Sequence, residues 1–412
     1  MSILVSELEL PYLPPKLIKS DLTAYDHLQL GIEARKQSWI GTTKLSYMIL
    51  DHKHSAAMLK DKRWHNALYM ISDFNPHFTE EIKASRKKLL INLEGEDHTR
   101  LRRIIAPVFS PKTAELLRPD MKDAINQVLN DVIENGECDL QKDVFNKYPS
   151  YIISKIVGVP NSDWQKFTKW ADDTFKTFGG NYGKYSEEII NTQNELDDYT
   201  MNLVISKKQN KGNDLVSMLI DAESDGQKLS DEEIQSLIQV VLMAGMDTTR
   251  TQLGIIAVML SERPDLISML ANDVNVEEII EECTRLDSVF KYLMRIASED
   301  IEYNGVLFPK GTLISPALSV GNYDDSAFEN SSDFILDRKG IKATTLSYGG
   351  GIHYCLGASL ARAQMQECMK VVAKRIPDYK ITGEVIYKKP YESVIGPRSI
   401  PVTFTPNIKI FK

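Results

Sequence analysis

The chain has 412 residues, with 49 Lys and Arg against 57 Asp and Glu, a formal net charge of -8. That balance argues against a nucleic-acid surface and gives no reason to invoke anionic membranes. Cysteines at 138, 283, 355 and 368 show no paired metal spacing and no disulfide framework, which argues against zinc and for a reducing compartment. Glu7, Glu9, Lys16 and Lys19 in the first twenty residues leave neither a signal peptide nor a spanning helix, so a cytoplasmic location is expected. The length exceeds the usual single-core size, so a smaller β-rich lobe beside a helical body is expected.

In chain order, strand-like Tyr47-Met48-Ile49-Leu50 precedes a short helix. His98-Thr99-Arg100-Leu101-Arg102-Arg103 puts His98 and Arg102 on one helix face, while a solvated face explains Arg100 or Arg103. Helical patterns cover 114–135, 145–160 and 185–208. A capping box, Ser230 with Glu233, then opens a pattern that ends before Pro264. It spans about 33 residues, roughly 50 Å at 1.5 Å per residue, so this helix should cross the centre of a large domain. Its middle, Ala244-Gly245-Met246-Asp247-Thr248-Thr249, contains a poor helix former and back-bonding hydroxyls, and a local distortion is expected there.

A further helix is expected over 265–285, ending in Glu282-Cys283-Thr284-Arg285, whose acid and base share a face. Tyr303-Asn304-Gly305-Val306 reads as a hairpin turn leading toward strand-like Leu313 and Ile314, and a strand pair is expected around 396–404. No repeat, low-complexity tract or linker interrupts the chain.

Tyr348-Gly349-Gly350-Gly351-Ile352-His353-Tyr354-Cys355-Leu356-Gly357 sets one cysteine between a glycine-rich loop and a helix expected from Leu356. Such a loop turns amide N–H groups toward an anion, and a helix N-terminus favours thiolate over thiol. A thiolate beneath haem favours O–O cleavage, whereas an imidazole suits reversible oxygen binding. Alone, this pattern is better explained by a buried cysteine after an ordinary turn, and Asp247-Thr248-Thr249 alone by a solvent-facing helix segment.

Together the motifs resemble those of the cytochrome P450 superfamily over nearly the whole chain. The resemblance implies a mainly α fold with a smaller β-rich lobe, a single domain over 1–412 whose lobe draws on N-terminal, 300–320 and C-terminal segments. It implies haem b with Cys355 as axial thiolate, with Tyr348, Gly349 and Gly357 in its loop. His98, Arg102, Arg295 and His353 would reach the propionates, and Tyr348 stands where phenylalanine is usual. Ala244 and Gly245 would line the oxygen pocket, with Asp247 and Thr248 delivering protons to O2. Glu282 and Arg285 would be structural, and the usual basic partner of that pair is matched by Asp333, with its sign reversed.

The implied substrate lining includes Trp64, Phe74, Val240, Val241, Phe290, Leu293, Met294, Val394 and Ile395, so a small hydrophobic molecule is expected. Each of these is equally well explained as ordinary core, and Lys291 among them by a solvent-directed side chain. The resemblance further implies a monomer that hydroxylates its substrate with electrons from a ferredoxin and an NAD(P)H-dependent ferredoxin reductase, with no nucleic acid or membrane partner. Arg100, Arg103 and Arg362 are candidates for the ferredoxin surface. A peroxide-driven peroxygenase and a non-catalytic haem sensor are the alternatives.

Overall fold

The computed structural model describes residues 2–13, 24–178, 182–224, 227–388 and 394–407; Lys16 and Lys19 lie outside the described residues. Ser230 caps the longest helix, Asp231–Leu260, accepting from the Glu233 amide while Glu233 accepts from the Ser230 amide. Leu237, Ile238, Leu242, Leu253, Ile256 and Leu260 bury apolar surface on several sides of it, as a helix at the centre of a domain requires. Helices Tyr148–Val157, Trp164–Phe175, Ser186–Gln209, Val276–Leu286 and Ala358–Arg375 pack around it.

The expected distortion at Ala244–Thr249 is absent and the helix runs unbroken. Thr248 Oγ1 donates to the Ala244 carbonyl at 2.8 Å, so the hydroxyl bonds within the helix without opening it. A Cβ at Gly245 would lie 2.6 Å from Ile153 Cδ1, so the glycine permits close helix crossing. The helix expected over 265–285 is two, Pro264–Ala271 and Val276–Leu286. Asp273 and Asn275 adopt left-handed φ values of 58° and 47° between them, and Val274 N–H closes the first helix onto the Met269 carbonyl at 2.8 Å.

The β lobe is a five-stranded sheet in the order Ile40–Thr42, Tyr47–Ile49, Leu313–Pro316, Arg295–Ala297, Trp64–Asn66. The expected hairpin joins Ile301–Tyr303 to Val306–Phe308 through Asn304 and Gly305, at φ 50° and 76°. Trp64 packs edge-on to Phe308 at 5.4 Å in this lobe's core, so it is not a lining residue. The C-terminal strands Pro397–Ser399 and Pro401–Thr403 do not pair with each other. Only Ile400 separates them, too few residues to reverse the chain. The first pairs with Ile386–Tyr387; the second lies between Lys380–Ile381 and Glu137–Asp139, beside the helical body and apart from the lobe.

Glu282 and Arg285 are fully buried and paired at 2.7 Å. Their third member is Arg338, whose Nε donates to Glu282 Oε1 at 2.9 Å; Asp333 contributes only its backbone carbonyl, to Arg285 Nη2 at 3.1 Å. The apparent sign reversal was therefore an error of register, and the basic partner stands five residues further on.

Glu282→Gln would leave two buried guanidinium groups without their carboxylate and should cost about 3–5 kcal/mol. Asp333→Asn, which keeps the carbonyl, should stay within about 0.5 kcal/mol. Urea midpoints of both variants check the assignment, and equal effects would contradict it.

Candidate active site

Gly351 sits at φ 66°, and a Cβ there would run into the Leu59 carbonyl and to within 3.0 Å of Lys60 Cα. The loop therefore lies against the short helix His52–Lys60, and the Cys355 amide donates back to the Tyr348 carbonyl at 2.9 Å. The following helix begins at Ala358, two residues later than expected, with Gly357 as its cap. The Cys355 side chain is accessible although the surrounding chain encloses its position. Burial pushes the thiol up, while the Gly357 N–H and the charges of Arg102 and Arg362 pull it back.

Tyr348 is half-buried with the Arg362 guanidinium 4.1 Å from its ring centre, and its enclosed hydroxyl has no hydrogen-bond partner among the described residues. Arg362 is held by Glu281 through Nε at 2.7 Å and Nη2 at 3.1 Å and donates to Tyr354 Oη at 3.2 Å. It is an internal ion pair, which removes it from the candidate docking surface. Arg100 is likewise committed, to Glu233.

The four basic residues expected at the propionates do converge. His98 and His353 bring their rings to 4.7 Å, and Arg102 Nη2 donates to the Tyr354 carbonyl at 2.5 Å. Arg295 is 2% exposed and donates to the Met294 carbonyl. Burial lowers Arg295 to about 10 against the pull of Glu94. Burial, with His353 and Arg102 adding positive charge, lowers His98 to about 4. Sequence reasoning missed Glu94, which accepts from the Asn66 amide at 2.6 Å and bonds His353 Nε2 at 2.9 Å. No motif marks it. Its position four residues before His98 on the same turn was the available signal.

These residues fit a haem. The sulfur is accessible, and among the described residues Arg102 and Arg295 donate to backbone carbonyls and not to a carboxylate, so two propionates would complete their charge.

On the central helix, Ala244 is exposed and Thr248 half-buried. The Asp247 carboxylate is fully enclosed and turned elsewhere: its Oδ1 accepts from Lys388 Nζ at 2.7 Å and Arg250 Nε at 2.8 Å, and Arg250 also pairs with Asp172. Burial opposes its ionisation, but the charges of Lys388 and Arg250 hold the carboxyl well below the usual range. Of the expected lining, Val240, Phe290, Leu293, Met294 and Ile395 are partly buried. Val241 lies in the main core and Val394 packs on Phe175, Ile255 and Val289, so both are corrected to core. Adjacent helix positions face different ways, which is why Val240 and Val241 part company. Phe74 is 65% exposed, and Lys291 is tied to Asp287 and the Ser288 carbonyl.

An accessible thiol on a glycine loop, with His98, Arg102, Arg295 and His353 gathered beside it, is a haem-thiolate arrangement. The cytochrome P450 family profile matches residues 38–276 and 275–375, and the chain belongs to that family. It is 27% identical over 377 residues to luteothin monooxygenase of Streptomyces thioluteus, covering 90% of this chain and 91% of that one. It is 28% identical over 348 residues to the polyketide biosynthesis cytochrome P450 PksS of Bacillus subtilis, covering 83% and 84%. Among solved structures, P450BioI in complex with an acyl carrier protein ligated to hexadec-9Z-enoic acid superposes with a TM-score of 0.85 at 25% identity, over 92% of this chain and 99% of that one. The protein is a P450 monooxygenase with a haem-thiolate cofactor.

His98 titrates near 4 when folded and near 6.5 when unfolded, so between those values the unfolded chain binds the extra proton. The stability this residue contributes is present above about 6.5 and is lost as pH falls toward 4. Haem-free protein should therefore lose stability across that window, and His98→Gln should flatten the decline; chemical denaturation at several pH values measures it.

Proposed function

We propose that the protein oxidises a small apolar molecule with O2, taking two electrons from a separate ferredoxin and its NAD(P)H-dependent reductase. The carrying observation is the pairing of an accessible Cys355 sulfur with an accessible Ala244–Thr248 face on the central helix. A relative named for polyketide biosynthesis supports an apolar carbon skeleton as substrate. Among the described residues no helix is long and apolar enough to cross a membrane, in keeping with a partner met in solution.

When bound, haem supplies the oxygen-activating redox chemistry. The chain's part is placement and proton control. Cys355 would ligate the iron through its thiolate, and His98, Arg102, Arg295 and His353 would hold the propionates. Ala244 leaves room beside Thr248, whose hydroxyl can leave the Ala244 carbonyl and pass on a proton. Asp247 stands next in the chain but is locked by Lys388 and Arg250, with Thr251 Oγ1 3.1 Å from Lys388 Nζ. Proton supply through Asp247 therefore requires an exchange of that ion pair. Phe290, Leu293 and Ile395 supply apolar lining.

Reduced protein treated with carbon monoxide should show the strongly red-shifted Soret band of a thiolate ligand, and Cys355→Ser should lose it. An imidazole-type band in the unaltered protein would overturn the reading. Thr248→Ala should cut the fraction of reducing equivalents recovered in product by about tenfold or more, with haem content unchanged. Efficient turnover with hydrogen peroxide alone would favour the peroxygenase.

A further inference from the structure

The helix Glu80–Lys87 buries one charged side chain that no ion pair explains. Arg86 is 5% exposed; its Nη1 donates to Thr177 Oγ1 at 3.1 Å, and the Phe78 ring covers the guanidinium face at 5.1 Å. Among the described residues its Nε and Nη2 have no hydrogen-bond partner. The carboxylate that it senses, Asp197, is engaged by Gln239 at 2.6 Å and Gln193 at 2.9 Å. Burial lowers Arg86 to about 10, and it remains charged at neutral pH. A buried guanidinium with two idle donors is costly, so an unfilled role is the economical explanation.

The idle pair defines that role. Nε and Nη2 form one edge of the guanidinium fork, spaced for the two oxygens of a carboxylate. The face is stacked; the edge is what remains. Two residues on, the Lys88 carbonyl accepts from Ser236 Oγ on the central helix at 3.1 Å. Ser236, Val240, Ala244 and Thr248 follow at steps of four, each neighbouring the last in a row that winds about 40° round the helix per step. Ser236 to Ala244 is roughly 12 Å at 1.5 Å per residue. An acid held at Arg86 would thus lay an apolar chain of medium length along Val240 toward the Ala244–Thr248 face.

We propose that Arg86 is the anchor for a substrate carboxylate, making the preferred substrates free acids with an apolar tail. This rests on the monooxygenase reading above and names the substrate class of the same site. The anion reaches the Nε–Nη2 edge by displacing the side chains that enclose it, and oxidation falls toward the far end of the tail.

The test compares dodecanoic acid with 1-dodecanol on the haem-loaded protein, with dissociation constants from the substrate-induced Soret shift and from calorimetry. The acid should bind about tenfold tighter or more. Arg86→Gln should abolish the preference while leaving the alcohol's constant within about twofold, and Arg86→Lys should retain part of it. Acid binding that is absent or no tighter than the alcohol's in the unaltered protein overturns the anchor, as does a preference that survives in Arg86→Gln. The comparison in the unaltered protein needs no variant, so a variant that fails to fold leaves it decisive. The carbon monoxide spectrum of the same sample separates the two failures: a thiolate band without an acid preference removes the anchor alone, and a missing band removes the oxygenase reading.

Discussion

The position of the Cys355 sulfur depends on one buried guanidinium. Arg285 is fully enclosed, and its donors reach Glu282, the Asn322 carbonyl at 2.7 Å, the Ser331 carbonyl at 2.6 Å and the Asp333 carbonyl at 3.1 Å. Asn322 then receives the Leu346 amide at 2.9 Å and donates to Ser347 Oγ at 2.9 Å, and Ser347 bonds back to the Thr284 carbonyl at 2.8 Å. Tyr348 comes next, and its carbonyl holds the Cys355 amide. An enclosed charge tolerates few geometries, because each unmade bond carries the full desolvation penalty. Rigidity is therefore passed along a continuous hydrogen-bonded path from the Glu282 pair to the thiol.

Charge is handled differently around the glycine loop and around the central helix. Around the glycine loop, cations are left short of carboxylates, an arrangement that favours an anionic cofactor edge. Around Asp247 the charges are balanced, with Lys388 and Arg250 enclosing the acid and Asp172 continuing the network toward the helix Trp164–Phe175. An anionic edge at the first site would improve its charge balance. The second is stable as it stands, so any work it does in proton transfer must begin by loosening a partner.

Much of this was legible in local pattern. The capping box at Ser230, the turn at Asn304-Gly305 and the glycine loop at Cys355 each depend on residues within a few positions, and each formed where expected. The losses were of two kinds. Where a motif's partner lies far along the chain, spacing offers no guide: Arg338 is 56 residues from Glu282, and Lys388 is 141 from Asp247. Where two adjacent apolar residues both suit a lining, only packing decides, and it sent Val241 and Val394 to the core. The division of 265–285 into two helices was missed for a third reason, since Asp273 and Asn275 are polar residues that tolerate left-handed φ without advertising it.

Tyr348 shows how a single departure from the family pattern is absorbed. Its ring fills the space beside the cysteine loop as a phenyl ring would, and the Arg362 guanidinium lies over it, neutralised by Glu281. The added hydroxyl is buried without a partner, which ordinarily costs about 1–3 kcal/mol. Arg362 already directs its Nη1 to Tyr354 and its other donors to Glu281, so no local group turns to meet it. Burial pushes the phenol's ionisation far up, so the group stays a neutral donor.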